Sequence, residues 1–414
     1  MFSIGSLWSR TQGLSIAQRV AIISFFGQLY FFVPVMTPYL RGEGLSMAQI
    51  AGLQTMLLWA QLVMEVPTGV LADRLGHRRS YQLALALSVG AEISFLFAQN
   101  YGMFLLSQVI AGTGFAFASG SVDAYVYESL PTLNRTQGMQ RARGQIGAAI
   151  HLASVVAYGT TAVVAADLSH SRMVLTLLMG IVGLSIAVLL GLTLRDHPGT
   201  ERPAHQPTSV HLLRTGWRSI RQSRQLQRVM LLSLVADAFG AHLLVFYQDY
   251  FLQTGVSGRW FGLALSLGSV VAVGTQLVAW RLTPRFGTRR AMLLATGIPG
   301  VLYLGMALNN QPGVAVMLFV VQWGAIHLSG PLFAGLYNEY LGDAARATSL
   351  SLISGIVTVY VGAMGIVLGW LAGQSLAIMF GLMGVLVLLG AVLVRLDPES
   401  DTVDLREEQS AAMG

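Results

Sequence analysis

Twelve stretches of this chain, at roughly 18–40, 47–71, 81–99, 102–127, 144–166, 173–194, 229–252, 258–282, 291–309, 313–338, 347–372 and 375–394, are apolar over helix length. A segment needs about 20 such residues to cross a bilayer as an α-helix. Within hydrocarbon every backbone N–H and C=O must be satisfied internally, so runs of this kind fold as helices. Hydrophobic residues make up 54% and charged residues 11% of the 414, whereas soluble domains carry about 25% charge. The expected fold class is therefore all-α and integral to a membrane. Short polar turns at Asn100-Tyr101 and Gln311-Pro312 mark antiparallel neighbours.

Arginine sets the orientation. The chain has no lysine and no cysteine, and of its 25 cations only Arg41, Arg172 and Arg259 fall on one side of the twelve spans. Positive charge resists translocation, so both termini are expected in the cytoplasm of a multi-pass inner-membrane protein. The net charge of +6 belongs to those loops and implies no nucleic-acid partner. The lead before residue 18 has no cleavage site of the removable-signal type. The organisation expected is a helical bundle at 1–194, a linker at 195–227, a second bundle at 228–394 and an acidic tail at 395–414. In the linker Leu213, Trp217 and Ile220 fall on one helical face and the arginines largely on the other, a pattern for a helix lying on the membrane surface.

Between the second and third spans runs Gly69-Val70-Leu71-Ala72-Asp73-Arg74-Leu75-Gly76-His77-Arg78-Arg79-Ser80. A carboxylate at a helix end, three cations at headgroup depth and two glycines suit a latch. Arg74, Gly76, Arg78 and Arg79 recur as Arg285, Gly287, Arg289 and Arg290, all displaced by 211 residues. The same displacement carries Glu128 to Glu339 and Arg135 to Arg346. Six matches at one offset point to an internal duplication.

The pattern Gly69-x-x-Ala72-Asp73-Arg74-x-Gly76-x-Arg78-Arg79 resembles the loop signature of major facilitator superfamily transporters. Glu65-Val66-Pro67-Thr68 and Ser119-Gly120-Ser121-x-x-Ala124-Tyr125-x-Tyr127-Glu128-Ser129-Leu130 resemble one bacterial branch of it. The resemblance implies twelve helices in two pseudo-symmetric six-helix halves and transport by alternating access. It also implies that the fourth, seventh and tenth helices line a central cavity. Two patterns of the family are absent. Proton-driven members usually carry an arginine four residues before a fourth-helix glycine, and here Gln108 precedes Gly112 at that spacing. The fifth-helix glycine-proline pattern of drug/proton antiporters is missing, since 144–166 contains no proline.

Ionisable groups within spans are costly and tend to serve function. They are Glu65, Glu92, Asp123, His151, Asp237, His242, Asp249 and His327. Glu65, with Gln54 and Gln61 on one stripe, reads as a brace of the inner gate, and Glu128, Arg135, Glu339 and Arg346 read as paired gate groups. Asp123 has no counterpart in the second half, where Ala334 stands, which makes it a candidate for proton or solute binding or else a surface carboxylate. Asp237, His242, His327, Gln28, Tyr30 and Trp323 complete the candidate proton and substrate groups. For both histidines the competing reading is a neutral ring bonded across helices. Glu92 lies on a helix that the resemblance places outside the cavity.

No arginine lies deep in a span, and the aromatics Tyr30, Phe31, Tyr125, Tyr247, Trp323 and Tyr337 accompany scattered acids. Such a lining suits neutral or cationic amphiphiles. Export of such a solute by a monomer in contact with lipid, with protons as a candidate coupling ion, is the leading expectation. Uptake by symport or facilitated diffusion follows, favoured by the missing antiporter pattern. A divalent-metal carrier and a polytopic enzyme come after. No phosphate loop, His-Glu-x-x-His or compact triad is present, and no cofactor or resident metal is expected.

Overall fold

The computed structural model describes residues 15–130, 135–195, 217–218, 220–341 and 346–393, without the side chains of 135–137, 237, 338 and 346–348. The described residues form helices and turns with no strand. In order the helices are α1 (Ile16–Gly27), α2 (Met36–Gly42), α3 (Met47–Leu75), α4 (His77–Leu96), α5 (Tyr101–Ser129), α6 (Arg135–Val164) and α7 (His170–Gly191). There follow α8 (Arg224–Gln253), α9 (Arg259–Ala279), α10 (Leu282–Phe286), α11 (Thr288–Leu308), α12 (Pro312–Tyr340), α13 (Arg346–Gln374) and α14 (Leu376–Leu393). Among the described residues ten helices are long and apolar enough to cross a membrane. The 20-residue α4, with arginines in its first turn, fills the expected third span.

Helix starts follow their capping residues. Ser15 and Gln18 form a reciprocal capping box at α1, and Ser46 and Gln49 form the same box at α3. Asn100 accepts the Met103 N–H at 3.0 Å to start α5. At the corresponding end of α12, Pro312 takes the first helical position, where its missing N–H costs nothing.

The first expected span is not continuous. α1 stops at Gly27, a 3-10 turn occupies Val33–Val35, and α2 resumes at Met36. Pro34 provides the physical reason. A helix through it would lose the bond to the Tyr30 carbonyl and press the ring against that carbonyl. The opened backbone is caught from α6, where the Thr161 hydroxyl donates to the Phe31 carbonyl.

The described residues fall into two compact units, one within 1–206 and 257–266, the other within 207–256 and 267–414. The first has a core of Val20 and Ile23 from α1, Tyr81 and Leu85 from α4, Phe117 and Val126 from α5, and Ile146 from α6. Its short segment 257–266 packs on α6, with the Ser266 hydroxyl donating to the Val155 carbonyl at 3.2 Å. The second unit gathers Val229 and Leu232 of α8, Met292 and Ala295 of α11, and Leu332, Phe333 and Leu336 of α12. α11 and α14 approach through Gly300 and Gly384, where a methyl group on Gly384 would stand 2.8 Å from the Gly300 carbonyl.

Part of the surface helix expected in the linker lies within the described residues. Leu213 lies outside the described residues, whereas Trp217, Arg218 and 220–222 are helical. Trp217 and Ile220 do not share one exposed face: Trp217 is 53% exposed and Ile220 3%. Ile220 packs with Leu226, Leu341 and Ile353, because Ser223 turns the chain directly into α8 and folds this short helix back on its base.

Candidate functional site

The charged turn joins α3 to α4 through Gly76, which adopts φ 87° and ψ 150° and donates its N–H to the Ala72 carbonyl at 2.8 Å. Asp73, Arg74 and Arg79 stand exposed around it, as do Glu65 and Gly69 earlier on α3. Arg78 is half-buried, and its guanidinium donates to the Leu194 carbonyl beyond α7 at 3.0 Å. Beside it Gln82 donates to the Gly191 carbonyl at 2.9 Å, and from α5 the Tyr125 hydroxyl donates to the Arg195 carbonyl at 2.9 Å. Gln82 thus closes the C-terminal end of α7, where carbonyls lack helical partners, and Arg78 and Tyr125 hold the chain just beyond it. In the second unit Gly287 repeats the Gly76 conformation, and Arg285 and Glu339 are exposed. The side chains of Arg135 and Arg346 lie outside the described residues, so their pairing with Glu128 and Glu339 has no geometry here.

Two partners were not visible in the sequence. Glu128 faces His77, with Nε2 and Oε1 3.3 Å apart. Asp123 receives a two-pronged contact from Arg143 of α6, at 2.6 Å from Nη2 and 3.3 Å from Nε. Both members of that pair are largely exposed, and neither has a charged counterpart 211 residues on, where Ala334 and Ser354 stand. Their helices are joined through residues 131–134, and only the rotation of each helix decides that these two side chains meet.

Within the first unit the break in the first span carries a polar group of its own. Gln28 caps α1 and is half-buried, its N–H donating to the Phe25 carbonyl at 3.3 Å. Tyr30 lies in the break, its side chain grouped with Ser88 and Glu92 of α4 and Tyr158 of α6. Glu92, which the resemblance would have set apart, therefore looks inward to the broken span. His151 is half-buried on α6.

In the second unit an aromatic column runs along one face of α12. Phe319, Trp323 and His327 recur every fourth residue, which places them on one helical face. Tyr247 of α8 stacks on Phe319 with centroids 4.2 Å apart, Phe319 and Trp323 are 6.1 Å apart, and Trp323 and His327 5.0 Å. The His327 ring is fixed by donation from Nδ1 to the Trp323 carbonyl at 2.7 Å. His242 is fully buried and donates from Nε2 to the Val361 carbonyl of α13 at 2.8 Å, a bond across helices. Asp249 is buried at the far end of α8, and Tyr337 is hydrogen-bonded to Ser233. Asp237 lies on α8, with its side chain outside the described residues. Among the described residues no three His, Asp or Glu side chains converge as a metal site.

Residues 20–357 match the family described as the Major Facilitator Superfamily. An uncharacterised MFS-type transporter of Bacillus subtilis (strain 168), YxaM, is 21% identical over 391 residues, covering 91% of this chain and 94% of that one. Among solved structures, the nucleoside transporter NupG aligns with a TM-score of 0.73 at 15% identity, over 91% of this chain and 98% of that one. A D-xylose-proton symporter aligns at 0.66 and 17% identity, over 92% and 97%. Identities this low speak for the fold, and the family follows from the match across most of the sequence. The chain belongs to the Major Facilitator Superfamily.

Proposed function

We propose that this transporter exports a small neutral or cationic amphiphile by alternating access. Secondary transport of a small solute, rather than an enzymatic reaction, comes with the family. The observation that supports the solute class is the column Tyr247–Phe319–Trp323–His327. Stacked aromatic faces attract apolar groups and cations alike, and the described arginines sit at helix ends and in turns rather than beside this column. A carboxylated or phosphorylated solute would need such a cation to offset its charge. Direction follows from the solute. An amphiphile partitions into a bilayer unaided, so a carrier does useful work on it only against its gradient.

A ligand-stabilisation screen on the purified protein tests the solute class, because a ligand that binds the folded state raises the melting temperature. Organic cations and neutral amphiphiles should stabilise it. Stabilisation by phosphorylated or dicarboxylate compounds alone would overturn the reading. The second reading is uptake, favoured by Gln108 at the family's arginine position and by the proline-free fifth span. Flux of a stabilising compound in sealed vesicles under opposed gradients separates the two directions.

A further inference from the structure

Where residues 217–218 and 220–222 fold back on α8, the second unit carries a half-open cavity of about 420 Å³ lined by Trp217, Ile220, Arg221, Gln227, Met230, Leu231 and Leu234. Its two ends differ in chemistry. At one end Arg221 lines the wall, with Arg218, Arg224 and Arg228 exposed on neighbouring turns. No Asp or Glu occurs from Trp217 to Ala236, so this segment carries a net positive charge. At the other end Met230, Leu231 and Leu234 form an apolar wall, and Leu231 is 54% exposed. From Gln227 to Leu234 the wall extends about 10 Å along α8 at 1.5 Å per residue.

The rim of the cavity is fixed. The Gln227 amide donates to the Ile220 carbonyl at 3.1 Å and to the Arg221 carbonyl at 2.7 Å, pinning the short helix to the first turn of α8. Ile220 is held in the core beneath. Trp217, 53% exposed at the mouth, is the side chain type that settles at the headgroup level of a bilayer. The site thus has a rigid cationic mouth beside a membrane span and an apolar slot continuing along it.

We propose that this cavity binds one anionic glycerophospholipid, its phosphate at Arg221 and its neighbouring arginines and the first part of an acyl chain along Met230, Leu231 and Leu234. The charge selects anionic over zwitterionic headgroups, since each basic residue near a negative membrane surface strengthens attachment. The apolar wall selects lipid over a free phosphate, which would leave it empty. A lipid held here ties the base of α8 to the membrane surface. The proposal does not depend on which solute is carried.

Native mass spectrometry of the full chain in detergent tests it with three probes: phosphatidylglycerol, phosphatidylcholine of identical chains, and soluble glycerol phosphate. Phosphatidylglycerol should be retained as one copy, with an advantage over phosphatidylcholine of roughly fivefold per engaged arginine. Arg221→Gln should reduce that advantage by about the same factor. Leu231→Ser, at a position 54% exposed, should weaken retention of both lipids while the melting temperature of the lipid-free protein reports any cost to folding. Arg172→Gln, at an exposed position in the first turn of α7 in the first unit, should retain phosphatidylglycerol as the unaltered chain does. Equal retention of the two lipids, or phosphatidylglycerol binding unchanged in both Arg221→Gln and Leu231→Ser, would overturn the proposal. Displacement of the lipid by glycerol phosphate would reassign the site to a free anion and overturn it as well.

Discussion

Gly76 and Gly287, one between α3 and α4 and the other between α10 and α11, share one backbone conformation, φ 87° and ψ 150° against φ 78° and ψ 158°. Each donates its N–H to the carbonyl four residues back, Ala72 at 2.8 Å and Thr283 at 2.9 Å. The same 211-residue displacement relates Gly44 to Gly255, at φ 83° and 73°. Around that second pair Leu45 donates to Leu40 and Gly44 to Arg41, as Val256 donates to Phe251 and Gly255 to Leu252. These are paired helix-ending motifs of the Schellman type. The duplication is therefore written in backbone geometry as well as in side chains.

That conformation is open to glycine and strained for other residues, at about 1–3 kcal/mol. Gly76→Ala and Gly287→Ala should each lower the melting temperature of the purified protein. Gly69→Ala, inside α3, should leave it unchanged or raise it, because a methyl group there meets no atom within 4 Å, the backbone φ is not positive and alanine favours the helix. Equal stability of all three variants would remove the strain argument.

A second prediction separates structure from transport at Asp123. Its contact with Arg143 joins two side chains that are 44% and 64% exposed, and pairs this exposed contribute about 0.2–1 kcal/mol, less at high salt. Asp123→Asn and Arg143→Gln should each cost little stability and should be less than additive together. If Asp123 also binds a proton or solute, Asp123→Asn will abolish transport while Arg143→Gln spares it. Equal transport by both variants would reduce Asp123 to the ion pair.

How much was legible in the sequence divides along a physical line. Eleven of the twelve spans emerged as single helices because hydropathy and turn residues act locally, and Pro312 and Asn100 marked starts that the structure repeats. Pro34 was an equally local signal, and it marks the broken first span that hydropathy alone smoothed over. The partners were not local. Asp123 meets Arg143, Glu128 meets His77, and Tyr30 comes beside Ser88 because of how neighbouring helices are rotated. A single sequence read by itself carries no trace of that rotation. The Tyr247–Phe319 stack is of the same kind, whereas the four-residue spacing of Phe319, Trp323 and His327 could be read directly.

The latch reading of the charged turn gives a kinetic expectation. Asp73 sits exposed near the C-terminal end of α3, where its role would be to favour one conformational state over another rather than to touch solute. Asp73→Asn should lower turnover while leaving the affinity for a stabilising compound within a few-fold. Transport kinetics and ligand-induced melting shifts on the same variant check both halves. Unchanged turnover would leave the latch unsupported.

Proton coupling would need a titratable group within a span, and Asp237 lies well inside α8, between its arginine-bearing start and Asp249 near its far end. A proton and a cationic solute competing for one carboxylate would link their movements. Asp237→Asn should then abolish flux driven by a pH gradient yet preserve exchange of labelled for unlabelled solute. Gradient-driven flux persisting in the variant would exclude Asp237 and move the test to Asp123 and His327.

The aromatic column gives the sharpest test of solute class. Trp323 stands between Phe319 and His327, and its side chain packs against Gly268 of α9, where an added methyl group would come within 2.9 Å of the indole. Trp323→Phe keeps a π face in that space, whereas Trp323→Leu keeps apolar bulk and removes the face. If the column recognises solute through its quadrupole, the Phe variant should retain affinity for an aromatic or quaternary cation. The Leu variant should then lose about 0.5–2 kcal/mol of binding, a weakening of up to roughly thirtyfold. If the column only packs α8 on α12, both variants should destabilise the protein and change affinity alike. Melting temperatures without ligand measure the packing cost, and the ligand-induced shift measures recognition. A Leu variant that binds the cation as tightly as the Phe variant would sink the cationic-amphiphile reading and leave the column as core.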